Sequence, residues 1–234
     1  MTTWMTEQAH VLDNPVWAAA TGAHSHLVEV TGQAARYHPD VTPLAALRCD
    51  PDERAWADLT AIAASGDVVG LAGVTATPPP HWEIVDTVPG VQLTGTSLRA
   101  SSDPEAVRLS PADVPEMLHL AARTGIGLFG ARAIELGTHL GIRHDGRLVA
   151  MAGERVRPPG WTEISAVCTD ADHRGQGLAT RLIRAVAAGI HARGETVYLH
   201  AAASNTAAIR LYEAIGFTPR RTTTFRLVRI PDQA

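Results

Sequence analysis

A short segment with two glycines, at residues 173–179, has the residue types that hold a phosphate group. It reads His-Arg-Gly-Gln-Gly-Leu-Ala and lies between a predicted strand and a predicted helix. Glycine lets the backbone turn tightly and approach a ligand. The unpaired N–H groups of the first helical turn, at the positive end of the helix dipole, attract an anion. By itself the segment predicts either a phosphate-binding loop or an ordinary turn at a helix start.

Two common phosphate-binding loops do not match this segment. The chain contains no Gly-Lys-Ser or Gly-Lys-Thr sequence, and Thr180 stands where the dinucleotide-binding fingerprint has its third glycine. The elements around the segment must therefore indicate which ligand it would bind.

Those elements follow the order β-α-α-β-β-β-α-β-α-β over residues 104–234. A hairpin is predicted around Asp145-Gly146, and a third antiparallel strand covers Trp161–Thr169. The glycine segment connects this strand to a helix over Leu178–Arg193. The other predicted elements are short pieces at Ala106–Leu109 and Ala131–Leu136, a helix that begins at Ser110, strands over Thr138–His144, Arg147–Val156 and Thr196–Ala202, a helix over Asn205–Ile215 and an extended segment over Arg221–Ile230.

The first part of the chain predicts α+β structure of a different order. Residues 50–53, Asp-Pro-Asp-Glu, have the pattern of a capped helix start, so we predict a helix that continues to about Ser65. A buried strand is predicted over Val68–Thr75, and weaker strand patterns lie at Trp82–Val85 and Val91–Leu93. Residues 14–38 show no pattern that identifies their structure.

Charge divides the chain at the same place as the element order. Residues 1–103 carry 4 arginines against 12 acidic residues, whereas residues 104–234 carry 16 arginines against 12 acidic residues. The polar stretch Thr94–Pro104 separates the two parts. We therefore predict an α+β domain of unknown role over residues 1–100 and a second domain over residues 104–234.

Composition excludes several classes of protein. A hydrophobic content of 45%, a charged content of 19% and a mean hydropathy of zero indicate a folded globular chain. The longest apolar run, Val68–Ala76, is far shorter than the roughly 20 residues that a membrane helix needs. Residues 1–5 show no secretory pattern, and Cys49 and Cys168 are far apart, so we expect a cytoplasmic protein with reduced thiols. An isoelectric point near 6.2 argues against a nucleic-acid partner.

Two motifs together resemble the GNAT superfamily of acyl-CoA-dependent N-acyltransferases. Residues 174–179 match its Arg/Gln-x-x-Gly-x-Gly/Ala pyrophosphate motif, and residues 205–217 match its Asn-x-x-Ala-x-x-Leu-Tyr-x-x-x-Gly-Phe helix. The resemblance covers residues 104–230, and residues 151–155 and 162–169 are further similar to a subgroup related to glycine N-acyltransferases. It implies an α/β (α+β) fold with a mixed, largely antiparallel sheet flanked by helices, preceded by an N-terminal α+β domain for which a degenerate copy of the same fold is one interpretation.

The resemblance also implies a site for acetyl-CoA. Backbone N–H groups of the glycine segment would hold the pyrophosphate, and the end of the preceding strand would pair with the pantetheine arm and polarise the thioester carbonyl. Asn205 would bond to the pantetheine or serve only as a helix cap. The implied binding residues are Val167, Cys168, Thr169, Arg174, Gly175, Gln176, Gly177, Leu178, Ala179 and Asn205, and no metal is expected.

Transfer of an acyl group to an amine needs a proton acceptor for the ammonium and a proton donor for the departing thiolate. The resemblance implies Tyr212 as the acid and Glu163 as the base. Packing of Tyr212 in the core is the structural alternative for the first residue. For the second, the alternatives are Glu154 as the base or a salt bridge from Glu163 to a nearby arginine, Arg155 or Arg157.

Alternation along the third strand predicts that Glu163, Ser165, Val167 and Thr169 share one face. Cys168 has no evident histidine partner, so we expect it to pack in the core rather than act as a nucleophile. His24 and His26 lack the further ligands that a zinc site needs.

The resemblance implies an N-acetyltransferase that moves an acetyl or short acyl group from acetyl-CoA to a primary amine by direct attack in a ternary complex. The alternative is a non-catalytic CoA-binding sensor or interaction module. The expected partner is a small-molecule or peptide amine, with neither nucleic acid nor membrane, and a homodimer is among the assemblies that the sequence allows.

Overall fold

A computed structural model describes residues 10–73, 77–127 and 129–232 of the chain. The helices that it contains are α1 (Pro15–Ala20), α2 (Glu53–Ala61), α3 (Val114–Thr124), α4 (Leu178–Ala192) and α5 (Thr206–Ile215). The strands are β1 (Val28–Thr31), β2 (Ala34–Tyr37), β3 (Leu44–Leu47), β4 (Val68–Ala72), β5 (Glu83–Thr94), β6 (Val107–Arg108), β7 (His139–His144), β8 (Arg147–Glu154), β9 (Trp161–Thr169), β10 (Thr196–Ala202) and β11 (Thr218–Arg229).

These strands form one sheet in the order β1-β2-β3-β4-β11-β5-β10-β9-β8-β7-β6. Only β3 with β4 and β9 with β10 run parallel among the pairs in the described ranges; the other neighbours are antiparallel. Helices α2, α4 and α5 pack on one face, and α1 and α3 pack on the other, which we call the front face. The expected fold, a mixed and largely antiparallel sheet flanked by helices, is confirmed.

The two parts of the chain repeat one element order. In both, three antiparallel strands are followed by a helix and then by a strand that pairs parallel to the third: β1-β2-β3-α2-β4 and β7-β8-β9-α4-β10. This repetition agrees with the interpretation of the first part as a degenerate copy. The division at residues 100–104 stays a prediction, and β5 from the first part lies between β10 and β11 of the second.

Strand β5 differs from its sequence prediction. Two separate short strands were expected at Trp82–Val85 and Val91–Leu93, but the chain forms one strand over Glu83–Thr94. Pro89 and Gly90 interrupt the strand pattern of the sequence, yet both residues pair with β11, which runs alongside nearly the whole of β5. Tertiary pairing therefore outweighs the local preference of these two residues.

Candidate active site

The glycine segment forms an open loop at the start of α4. Gly175 and Gly177 have φ angles of +76° and +75°, in the left-handed region that residues with a side chain rarely adopt. A Cβ at either position would meet no described atom within 4 Å, so the backbone conformation and not crowding requires glycine. Gly177 is the N-cap of α4 and offers no side-chain cap, which leaves the N–H groups of Leu178 and Ala179 for an external acceptor.

The strands that flank this loop separate toward it. β9 and β10 are paired at Trp161–Glu163 and Thr196–Tyr198, and beyond these residues β9 pairs only with β8 and β10 only with β5. The opening lies toward the carboxyl end of β9, which leads into the glycine loop. A slot between two strands therefore ends at a helix start suited to an anion.

A bulge in β9 changes which side chains face the front. Cys168 pairs with Met151 and Ser165 pairs with Gly153, so β9 has one residue more than β8 in this stretch, and Ala166 adopts a φ of +53°. The prediction that Glu163 and Ser165 share a face with Val167 and Thr169 is therefore wrong, because the extra residue reverses the alternation. The segment over 167–169 lies beside the slot as expected.

Cys168 packs in the front core. Its side chain lies in a cluster with Met117 and Met151, and burial raises the pKa of the thiol to about 11. A thiol that stays protonated at neutral pH is a poor nucleophile. The structure therefore agrees with the packing interpretation.

Glu163 lies at the point where β9 and β10 separate, and both of its carboxylate oxygens have hydrogen-bond partners. Its side chain is 1% exposed, and Oε1 and Oε2 accept hydrogen bonds from Nη2 and Nε of Arg155 at 2.7 and 2.9 Å. Nδ1 of His200 lies 2.7 Å from Oε1. Burial alone would raise the pKa of Glu163, but the charge of Arg155 and the hydrogen bonds from both partners outweigh it and lower the pKa to about 2. The salt bridge considered as the alternative therefore exists, and a role as the base stays a prediction.

Glu154 lies at the other end of α4. Both of its carboxylate oxygens are 3.0 Å from the guanidinium of Arg193, which follows that helix. It is opposite Ile164 in the sheet, and Ile164 packs beneath α4, away from the front face. The structure thus separates Glu154 from Glu163, although the two are on neighbouring strands.

The second motif lies on α5 and packs against α4. Asn205 caps α5, since its Oδ1 accepts a hydrogen bond from the N–H of Ala208 at 3.2 Å. Tyr212 is 9% exposed, belongs to the same core cluster as Leu178 and contacts Phe217 edge to face. Burial raises the pKa of its phenol, so the hydroxyl keeps its proton at neutral pH and remains able to donate it.

Sequence reasoning missed His200, which contacts Glu163 directly. A single histidine within the otherwise apolar second half of β10 was the available signal, but its partner on β9 is 37 residues away in the chain. Among the described residues there is no helix long and apolar enough to cross a membrane. Within the same ranges, no group of three or more His, Cys, Asp or Glu side chains is arranged to hold a metal ion.

Comparisons with known proteins agree with this geometry. The FR47-like protein family matches residues 139–226. A solved structure assigned to the GNAT family of acetyltransferases, from Novosphingobium aromaticivorans, is 40% identical, covers 97% of this chain and 100% of its own, and superposes with a TM-score of 0.87. The chain belongs to the GNAT family. A GCN5-related N-acetyltransferase from Kribbella flavida, 19% identical with a TM-score of 0.61 over 94% of this chain and 96% of its own, shows the same fold.

Two curated proteins resemble this chain over shorter stretches. The N-alpha-acetyltransferase RimI of Mycobacterium tuberculosis is 37% identical over 82 residues, which are 34% of this chain and 51% of that protein. The mycothiol acetyltransferase of Thermobispora bispora is 44% identical over 57 residues, 24% of this chain and 19% of that protein. The chain therefore spans about half or less of the length of these two relatives.

Proposed function

We propose that this GNAT protein transfers an acetyl or short acyl group from acetyl-CoA to a primary amine. The observation that carries the proposal is the open glycine loop at the start of α4, placed where β9 and β10 separate. The residues present fit the donor. The uncapped N–H groups and the open space around two glycines suit a pyrophosphate. The slot between β9 and β10 suits the extended pantetheine arm. When bound, acetyl-CoA would supply a thioester whose carbonyl carbon an amine can attack.

In this proposal the chain contributes binding, polarisation and proton transfer. N–H groups of Gly175, Gln176, Gly177, Leu178 and Ala179 would hold the pyrophosphate, with Arg174 adding positive charge. Backbone groups of Val167, Cys168 and Thr169, on the side of β9 that β10 leaves free, would pair with the pantetheine arm and polarise the carbonyl. Tyr212 would give a proton to the departing thiolate, and Asn205 would bond to the pantetheine in addition to its cap.

The acceptor in the proposal is a primary amine of a peptide or a small molecule. One similar protein is named for N-alpha acetylation and another for mycothiol acetylation, so both classes of amine are represented among the relatives. The similarity of residues 151–155 and 162–169 to the glycine N-acyltransferase subgroup adds amino acids as a third class. The cytoplasmic location and the homodimer considered from the sequence stay predictions.

Calorimetric titration with acetyl-CoA tests the donor site. We expect binding to the wild type and a loss of at least tenfold in affinity for Gly177→Leu, because a side chain at this φ distorts the loop. Gly194→Leu is the matched control: Gly194 follows the other end of α4, has a φ of +76° and is equally free of neighbours within 4 Å. Equal loss of affinity in both variants would contradict the assignment of the loop.

Release of free thiol from acetyl-CoA, measured with a panel of amines, tests the transfer. Suitable acceptors are a lysine-free peptide with a free α-amine, an amino sugar, a polyamine and glycine. We expect one class to accelerate thiol release at least 100-fold over the rate without amine. Binding of acetyl-CoA with no acceleration by any amine would support the non-catalytic CoA-binding module instead.

A further inference from the structure

Glu163, the carboxylate where β9 and β10 separate, is poorly suited to accept a proton. Both oxygens of Glu163 are engaged by Arg155, and one of them is also engaged by His200. With a pKa near 2, the carboxylate is poorly matched to receive a proton from an ammonium group at neutral pH. A neutral imidazole has one nitrogen with a free lone pair and often serves as a general base.

His200 lies where β9 and β10 begin to separate. The last pair of β9 and β10 before the strands separate is Glu163 with Tyr198, and His200 is two residues further along β10 on the same face. Its side chain is 6% exposed. It links β10 to β9, because Nδ1 is 2.7 Å from Oε1 of Glu163. The imidazole is thus held where the two strands begin to admit a ligand.

Neighbouring hydrogen bonds determine which imidazole nitrogen carries the proton. Arg220 Nη1 donates to Oε1 of Gln92 at 2.8 Å, and the carbonyl oxygen of Leu12 accepts from Nε2 of Gln92 at 2.9 Å. An arginine can only donate and a carbonyl can only accept, so the orientation of the Gln92 amide is unambiguous. Nε2 of Gln92 also lies 3.1 Å from Nε2 of His200, which must therefore accept. The remaining proton is on Nδ1 and is donated to Glu163.

A surface cleft lies next to the small pocket that borders this imidazole. A cleft of about 470 Å³ is bordered by Gly90, Ala203 and Arg221, at the carboxyl end of β10. It shares Arg221, Gly73 and Thr223 with a small inner pocket that is lined by His200 and Gln92. The Nε2 side of His200 therefore lies close to a surface cleft, near β5 and β11.

We propose that His200 is the general base of the transfer and that Glu163 is a positioning residue that holds its tautomer. This inference rests on the proposed function, since it assigns a step of the same reaction. In the free protein the amide of Gln92 donates a hydrogen bond to the lone pair of Nε2, and the acceptor replaces this hydrogen bond. Arg155 keeps Glu163 ionised, so the carboxylate holds the Nδ1–H and stabilises the imidazolium that forms.

The ammonium of the acceptor gives one proton to Nε2 of His200, and the lone pair that this exposes forms the new C–N bond at the carbonyl carbon. The C–S bond breaks with its electron pair going to sulfur, which takes a proton from Tyr212. The nitrogen then loses its second proton, which returns to Tyr212 through solvent, while His200 releases its proton to solvent. The products are an amide, free thiol and one proton.

Nitrogen-resolved NMR of the histidine side chains tests the tautomer in the full-length protein without any acceptor. Long-range ¹H–¹⁵N correlation at pH 8 should show His200 as the Nδ1–H tautomer, assigned by its disappearance in His200→Asn. An Nε2–H tautomer at this pH would overturn the proposal, because the lone pair would then point at Glu163.

Kinetics with the best amine of the panel test the chemical role. His200→Asn places an amide donor where Nδ1 stood, so a structural role would be preserved while the proton acceptor is lost. We expect kcat to fall at least 100-fold with acetyl-CoA affinity unchanged, and the low-pH limb of the kcat/KM profile to disappear. His191→Gln, an exposed histidine near the end of α4, is the control and should keep wild-type kinetics.

The pH profile must be interpreted against the other groups around His200. The charged and titratable side chains nearby are Glu163 on β9, Arg155 after β8, Tyr198 on β10, Asp13 before α1, and Arg220 and Arg221 on β11. A variant that binds acetyl-CoA and keeps its kcat would overturn the role of His200 alone. A wild type that does not bind acetyl-CoA would overturn the proposed function, while the tautomer experiment would still judge the geometry.

Discussion

At the scale of single residues, burial and pairing decide what each candidate side chain can do. Glu163 and Tyr212 are both buried, yet their pKa values move in opposite directions. Glu163 faces Arg155, whose charge outweighs the effect of burial, whereas the Tyr212 phenol lies among apolar groups. One therefore stays ionised and the other stays protonated at neutral pH.

Replacement of Tyr212 by phenylalanine tests the acid at this scale. The ring and its contact with Phe217 remain, so we expect Tyr212→Phe to bind acetyl-CoA with unchanged affinity and to lose about 100-fold in kcat. Calorimetry and thiol-release kinetics measure the two quantities. Near-normal turnover would show that this tyrosine only packs.

The ion pair of Glu163 with Arg155 predicts a pH-dependent contribution to stability. The pKa of Glu163 falls from 4.5 to about 2 on folding, so its ionised form stabilises the fold above pH 4.5, and this contribution is lost as the pH falls toward 2. Glu163→Gln leaves the partly buried Arg155 without its counter-charge and should lower the free energy of unfolding by about 3 kcal/mol at pH 7. Urea denaturation between pH 3 and pH 7 measures both effects, and an equal pH dependence in the variant would contradict this account.

At the scale of elements, the starts of α2 and α4 differ in whether a side chain caps the first turn of the helix. In the repeated element order they occupy corresponding places. Asp52 caps α2, since its Oδ1 accepts a hydrogen bond of 3.0 Å from the N–H of Ala55, while Gly177 offers no side-chain cap to α4. A carboxylate at a helix start satisfies an N–H group and repels a phosphate. Of these two helix starts, that of α4 is therefore the one suited to an anion.

Removal of the α2 cap should affect stability and not ligand binding. We expect Asp52→Ala to lower the free energy of unfolding by about 1 kcal/mol, because one N–H group of the first turn loses its partner. Its affinity for acetyl-CoA should equal that of the wild type. A change in that affinity would mean that the first part of the chain takes part in donor binding.

At the scale of the whole molecule, the sheet joins the two parts of the chain more closely than the sequence predicted. β5 runs between β10 and β11, and Gln92 on this strand contacts both His200 and Arg220. A strand from residues 1–103 thus contacts the histidine that lies where β9 and β10 separate. The small pocket beside His200 and the surface cleft next to it are both lined by residues from both parts.

Expression of residues 104–234 alone tests this connection. Without β5, strands β10 and β11 lose their shared neighbour and expose unpaired edges, so we expect an aggregating chain with no cooperative unfolding transition. Residues 77–234 retain β5 and should recover more of the soluble, folded state. Circular dichroism and size-exclusion chromatography compare the two, and a stable fold of residues 104–234 would support the division into two independent domains.

The sequence by itself determined the features that depend on neighbours in the chain. Two glycines before an amphipathic helix, the hairpin at Asp145-Gly146 and the asparagine cap of α5 follow from local backbone and hydrogen-bonding preferences. Each family motif is likewise contiguous in the chain, so it can be recognised from the sequence alone.

Only the tertiary structure decided the features that depend on distant partners. The bulge in β9 arises from its pairing with β8 and reverses the predicted face of Val167. The contact of His200 with Glu163 and Gln92 joins residues 37 and 108 positions apart, which no local pattern encodes. Sheet pairing and buried charge act across the chain, so the electrostatics of the site became visible only once the strands were in place.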